Sequence, residues 1–147
     1  MPDHATALSP LDLLHQIYRA MLAAADPLQV VPPHLPALPR GRTVVVGIGK
    51  AAAAMAQAVE QHWPGPLTGV VAVPRGAMLG LARIEQVAGS HPVPDESSLA
   101  AGQRLLAAVQ GLGPDDLAAW RAGSGTLPER PIMIDFDHPA IAAHPAR

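Results

Sequence analysis

The 147-residue chain contains no cysteine, which excludes a disulfide framework, a thiolate zinc site and a thiol nucleophile. Aromatic residues amount to only 3%, so the large rings that usually dominate core and interface contacts are scarce. Charged residues make up 15% and nearly balance, at a formal net charge of -2. Such a composition holds no basic patch that could track a phosphate backbone, and nucleic-acid partners are not expected. No apolar run reaches the length a membrane-spanning helix needs, so no membrane partner is expected either. Met1, Pro2, Asp3 and His4 carry no basic n-region leading to an apolar core and a small-residue cleavage site, which makes a cytoplasmic location the expectation. Lysine is almost missing: nine of the ten basic residues are arginine, and Lys50 is the single lysine.

What is present suits a compact interior. Hydrophobic residues make up 49% of the chain, a share that fits a globular core rather than a solvated polymer. The length allows one domain with a real core and no second full domain. Much of the apolar count is alanine, which buries little area, so the core should be thin and rest on Val, Leu and Ile.

Ser9, Pro10, Leu11 and Asp12 read as a helix start, with Ser9 as N-cap and Pro10 at the first helical position. Leu11, Leu14, Ile17, Tyr18, Met21 and Leu22 then recur at helical spacing and predict one buried stripe. The five prolines between Pro27 and Arg42 predict an extended connector without regular structure. Thr43 to Val46 is a β-branched run that meets Gly47, as expected of a strand covered on both faces. A helix follows from near Lys50 to Glu60 and breaks at Trp63 to Pro66. Leu67–Val73 and Ile84–Ala88 are two further strands. His91 to Pro94 must be extended, because each proline pushes its predecessor out of the helical region. Asp95 or Ser97 then caps a helix whose Leu99, Leu105, Leu106 and Val109 share one face. This order predicts an α/β layered, mostly parallel sheet with flanking helices. After Asp116 the pattern weakens. Residues 1–117 read as the α/β unit, and 118–147, with prolines at 128, 131, 139 and 145, as a weakly ordered tail in which only Ile132 to Ile134 resembles a strand.

Gly47, Ile48, Gly49, Lys50, Ala51 and Ala52 follow a strand and open a helix, the context that gives G-x-G-x-x-A its meaning. Glycine permits a tight turn, and the unpaired amides of the first helical turn favour phosphate or carboxylate. A cation at this end opposes the helix dipole by about 0.3–1 kcal/mol, so Lys50 is unfavourably placed unless an anion joins it. The same glycines also fit a bare strand-to-helix turn with Lys50 in water. The second strand ends in Pro74, Arg75 and Gly76 rather than the acid a nicotinamide dinucleotide site expects, although Arg75 could meet a 2′-phosphate. His91, in a proline-stiffened loop beside Asp95 and Glu96, is a candidate to serve a substrate hydroxyl or carboxylate, or merely to cap a turn. Asp135, Asp137 and His138 have the donor chemistry of some metal sites, but their proline-rich setting fits coincidence better and no metal is expected. Ser124, between Gly123 and Gly125, has the look of a nucleophile turn but is expected to lack both the strand before it and the helix after it.

Taken in order, Val45 to Ala52 with Met55, Val73 to Gly76, and His91 to Glu96 resemble the glycerate kinases related to tartrate-utilisation enzymes, some of which carry the label hydroxypyruvate reductase. The resemblance runs from about Leu11 to Leu117. It implies a two-domain kinase forming 2-phosphoglycerate from glycerate and ATP, with a Rossmann-like first domain and Mg-ATP as cosubstrate. By that resemblance Lys50 is the catalytic cation, Gly47 and Gly49 shape the substrate or phosphate pocket with Lys50, and the loop from His91 to Glu96 flanks it. Beyond Asp116 the family continues with a buried strand and a glycine-rich loop, where Leu117 to Gly125 stand in this chain, and with a second domain. A change of reading frame near Leu117 with early termination is the expectation that accounts for both departures, and it implies a fragment inactive on its own. An NADP-dependent hydroxypyruvate reductase fragment and a noncatalytic anion- or glycerate-binding module are the alternatives.

Overall fold

The computed structural model describes residues 8–123 and 133–134. Two helices come first, α1 (Pro10–Ala24) and the single-turn α2 (Pro27–Val30), followed by a 3-10 turn at Pro32–His34. Then follow β1 (Thr43–Gly49), α3 (Ala52–His62), β2 (Thr68–Pro74), β3 (Ile84–Gly89), α4 (Glu96–Val109), β4 (Leu117–Gly123) and β5 (Met133–Ile134). The strands form one sheet in the order β3-β2-β1-β4-β5. The first four are parallel and β5 pairs antiparallel with β4. The mostly parallel α/β sheet with flanking helices is therefore present.

β1 is the centre. Its β-branched run is buried from Thr43 through Val46, and alternate side chains serve opposite faces. Val45, with Val71 and Val73 of β2, joins the core formed with Met55, Ala56 and Val59 of α3. Val44, Val46, Val70 and Ala72 point to the other face, where α4 packs on β1, β2 and β3. Small residues let both helices sit close: α3 buries Ala52, Ala53, Ala56 and Ala58, and α4 buries Ala101. The largest fully buried side chains are Val31, Val71 and Val73, so the core is a thin valine core. Gly69 stands opposite Val45 in the ladder. A Cβ there would come within 2.1 Å of the Val45 carbonyl oxygen, so only glycine lets β2 lie this near β1.

Two carboxylates fasten the sheet. Asp116, just before β4, accepts from the backbone N–H of Arg42 at 2.6 Å, from the Arg42 guanidinium at 2.8 and 3.2 Å and from the Gly113 N–H at 3.0 Å. It ties the starts of β1 and β4 together. Glu60, on α3, accepts from the backbone N–H groups of Ala82, Arg83 and Ile84 and so fixes the entry into β3.

Four expectations are corrected. The apolar stripe of α1 is not buried: no residue of that helix is, and Leu14 is 63% exposed. A helical period signals an apolar face, not its partner. The connector after Pro27 holds α2 and the 3-10 turn, because Pro27 occupies the first helical position, where no N–H is needed, and Asp26 caps it. It also supplies Val31, 1% exposed, to the core. On α4 the face shared by the named residues is only partly covered: Leu99 and Leu106 are exposed, Leu105 and Val109 half-buried, and Ala101 faces the sheet, since close packing there favours the smaller side chain. Finally, β4 lies where no strand was expected, across the boundary between 117 and 118. Its alanines have weak strand preference, and continuous pairing of Leu117–Gly123 with Thr43–Gly49 supplies what propensity does not. Of the expected tail only Met133–Ile134 is otherwise described, and it is a strand as anticipated.

No described helix is long and apolar enough to cross a membrane.

Two outcomes follow from the packing and the carboxylates. Gly69→Ala should destabilise the fold by about 1–3 kcal/mol through forced separation of β1 and β2, read as a lowered urea midpoint at unchanged slope. The Asp116 carboxyl is held well below the ordinary range, chiefly by its hydrogen bond from Arg42. For Glu60, desolvation opposes the charge, but three backbone amides and Arg83 outweigh it, so its pKa is also lowered. Groups depressed in the folded state contribute stability that is complete above the unfolded carboxylate pKa, about 4, and is lost as pH falls below it. Asp116→Asn should therefore be less stable than the parent at pH 7, with the difference shrinking below about pH 4; a gap that stays constant across pH would contradict this.

Candidate functional site

In an open parallel sheet, ligands gather outside the carboxyl ends of the strands, near the point where strand order reverses. Here the chain passes outward from β1 to β2 and β3, then returns across β1 to β4. The reversal thus lies between β1 and β4, whose last residues, Gly49 and Gly123, are paired. Gly49 has φ 113°, a conformation closed to most L-residues. It lets β1 stop and turn directly through Lys50 and Ala51 into α3.

The N-terminus of α3 has no side-chain cap, and no acid lies in its first turn. α1, α2 and α4 differ, being capped by Ser9, Asp26 and Asp95. First-turn amides without a side-chain acceptor, at the positive end of the helix dipole, favour an anion.

Beside this turn is a pocket of about 320 Å³. It opens at the carboxyl ends of β1, β2 and β3 and is bounded by the loop from Ser90 to Pro94 and by α4. Ile48, Ala72, Val73 and Ala101 give it a largely apolar wall, and Ser90, His91 and Ser98 are the polar side chains around it. That volume lies at the lower end of the range for small-molecule sites, and an apolar wall with few polar groups is their usual make-up.

The loop bearing His91 is anchored from α4. Ser98 Oγ accepts from the Ser90 N–H at 3.1 Å and from the Asp95 N–H at 3.4 Å, and donates to the Ser90 carbonyl at 3.3 Å. Asp95 in turn accepts from the Ser97 N–H at 2.9 Å and completes a capping box with Ser98. The Ser97 hydroxyl, foremost, keeps the Asp95 carboxyl below its ordinary pKa. That carboxylate is thus engaged in capping α4. No hydrogen bond joins it to His91 among the described residues, so its place beside His91 in the sequence gives the imidazole no partner here.

Of the sequence-predicted site residues, Gly49 and His91 share the pocket. Gly47 does not line it: it is buried within β1 between Val71 and Arg121 of the flanking strands. Lys50 is exposed in the turn and does not line the pocket either. In sequence it directly follows Gly49, which does line the pocket. Arg75 is exposed beyond the end of β2. Ser124, Asp135, Asp137 and His138 lie outside the described residues, although β4 does run to Gly123, so the strand expected to be missing before Ser124 is there. Ser90 and Ser98 were not foreseen. The Asp95-x-x-Ser98 spacing, a helix-capping pattern, was the signal that could have placed Ser98 against the loop.

Comparison with known proteins places these features in a wider setting. Residues 13–125 match the family model described as "Domain of unknown function (DUF4147)". Two curated proteins of Agrobacterium vitis, each named "Putative hydroxypyruvate reductase", are 50% identical over 121 residues and 47% identical over 88 residues. The matches take in 81% and 58% of this chain but only 28% and 23% of those proteins. The chain thus spans about a quarter of their length. Among solved structures, a glycerate kinase from Thermotoga maritima is similar at TM-score 0.63 and 30% identity, over 74% of this chain and 27% of that one. The PH0495 protein of Pyrococcus horikoshii OT3 shares the fold at TM-score 0.65 and 24% identity, over 78% of this chain and 29% of that one.

Removing the loop anchor tests the build of the pocket. Ser98→Ala should cost about 0.5–2 kcal/mol of stability, as loss of a cap does, and should speed hydrogen exchange at the Ser90 amide while leaving β1 amides protected. Unchanged exchange at Ser90 would show that the loop is held by other contacts.

Proposed function

This chain belongs to the DUF4147 family, and from that premise we propose that it is the N-terminal part of an ATP-dependent glycerate kinase, converting glycerate and ATP to 2-phosphoglycerate and ADP. The observation that carries the reading is the pocket at the strand ends, with Gly49 and His91 in its lining and the uncapped start of α3 beside it. The likeness to the glycerate kinase of Thermotoga maritima supports it.

Phosphoryl transfer asks little covalent chemistry of a protein. Cations, backbone amides and metal-bound phosphates arranged around the transferred group supply most of the effect. In this reading the α3 amides and Lys50 hold the carboxylate of glycerate or the transferring phosphoryl group. The apolar wall receives the short carbon chain, and His91 reaches a hydroxyl. Mg-ATP would enter from the side of the site that this chain leaves open. The chain alone then binds substrate weakly and does not turn it over.

A second reading, an NADP-dependent hydroxypyruvate reductase, is favoured by the names of the curated relatives. A dinucleotide needs two mononucleotide halves of a sheet. The described strands β1 to β3 make one half, and β2 ends at Pro74, followed by Arg75 rather than an acid. A noncatalytic glycerate-binding module would share the pocket and differ only in what completes it.

Calorimetric titration of the purified chain with D-glycerate, Mg-ATP and NADPH separates these readings. Glycerate should bind saturably and weaken at least about tenfold, 1.4 kcal/mol, in Lys50→Ala, with no 2-phosphoglycerate formed by the chain alone. Tight NADPH binding without glycerate binding would favour the reductase, and ATP-dependent turnover by the chain alone would overturn the inactivity.

A further inference from the structure

Helix α1 is the feature that the fold and the pocket leave unexplained. It is a well-formed helix of 15 residues. The Asp12 N–H donates to Ser9 Oγ at 3.1 Å, and the Ser9 hydroxyl donates back to the Asp12 carboxylate at 2.6 Å. Yet none of its residues is buried, and its packing within the described chain is against α2. Leu11, Leu14, Tyr18 and Met21 are each at least 60% exposed. Soluble proteins rarely leave so continuous an apolar surface open unless something covers it.

The shape of the surface says what kind of cover. At 100° per residue, the apolar side chains from Leu13 through Met21 and Tyr18 to Leu22 sweep about 180° of the helix. Asp12, His15, Gln16 and Arg19 fill the remaining side. A helix lying on one core needs a stripe of about 100°, and the seam of a two-helix coiled coil is narrower still. Half a cylinder calls for walls on two sides, a groove between packed elements. No charge interrupts the arc, so the groove must itself be apolar.

The comparisons say where such a body exists. The family match begins at residue 13, so nearly the whole stripe lies in the shared region. The curated relatives carry most of their length outside the matched part, since this chain spans 28% and 23% of them. We infer that α1 is a docking helix, and that its apolar half-cylinder seats in an apolar groove of the polypeptide making up the rest of the relatives' length. Its stability in isolation rests on its cap and helical propensity, and its burial comes with that partner. The inference is independent of the kinase reading, because binding is measured without substrate.

The test is to co-express the full chain with the segment of the 50%-identical Agrobacterium vitis protein that lies beyond its matched region. Complexes are then sized by light scattering, and α1 is followed by hydrogen exchange. A one-to-one complex with α1 amides newly protected is expected. Leu14→Gln combined with Met21→Gln should weaken it at least about tenfold, 1.4 kcal/mol, whereas Gln16→Ala on the polar side should not. Both changes fall on exposed positions, so circular dichroism should show the fold retained. Absence of a complex, or one indifferent to the double variant, would overturn the inference. So would a homodimer of this chain that the double variant dissociates, or binding of α1 to anionic phospholipid vesicles in place of the polypeptide.

Discussion

Everything in this molecule hangs on β1 being paired along both edges. Thr43 to Gly49 forms parallel ladders with β2 on one side and β4 on the other, so neither its register nor its end point is free to slip. A one-residue slip would exchange Val45 for Val44 or Val46 on the α3 face, and both faces are buried. Asp116 sets that register at the start of the strand through Arg42, and Gly69 allows β2 to close from the other side. The consequence is felt at the far end, where Gly49 stops the strand with the backbone aimed at the start of α3. A thin valine core with many alanines can hold this geometry because its helices lie near the sheet, not because it buries large side chains.

How much of this was legible in the sequence depended on whether the information was local. The β-branched run into Gly47 and Gly49, the Ser9 and Asp95 caps and the strands ending at Pro74 and Gly89 are local, and all stand in the structure. β4 was not local: Leu117 to Gly123 is a weak strand sequence that becomes a strand because β1 offers it an open edge. The α1 period was read correctly as a helix, but no described residue covers its apolar face, so burial was misjudged. On α4 the shared leucine face was legible, but not that close packing would put Ala101 rather than Leu99 or Leu106 against the sheet. At the site, the turn chemistry of Gly49 was visible in its spacing, and of the residues named with it His91 lines the same pocket while Gly47 and Lys50 do not. The anchoring of that loop by Ser98 was missed, because it depends on β3 and α4 meeting at one end of the sheet.

The same pairing explains why the site looks half-built. The ends of β1, β2 and β3, the loop from Ser90 to Pro94 and α4 bring an apolar wall, two serines and a histidine to one pocket, and the uncapped α3 begins just after Gly49. In the proposed reading, a small anionic acid is held at this pocket, and groups outside the described residues complete the site. The relatives, with most of their length beyond the matched region, have material to close it.

The central claim is that the Gly49 turn and the His91 loop together bind a small hydroxy acid. Amide chemical shifts recorded while D-glycerate is added to the isotopically labelled chain test it residue by residue. The account predicts saturable shifts at Gly49, Lys50, the first turn of α3, Ser90 and His91, with β3 and α1 unmoved. Shifts scattered elsewhere, or none at concentrations that saturate a weak site, would contradict it.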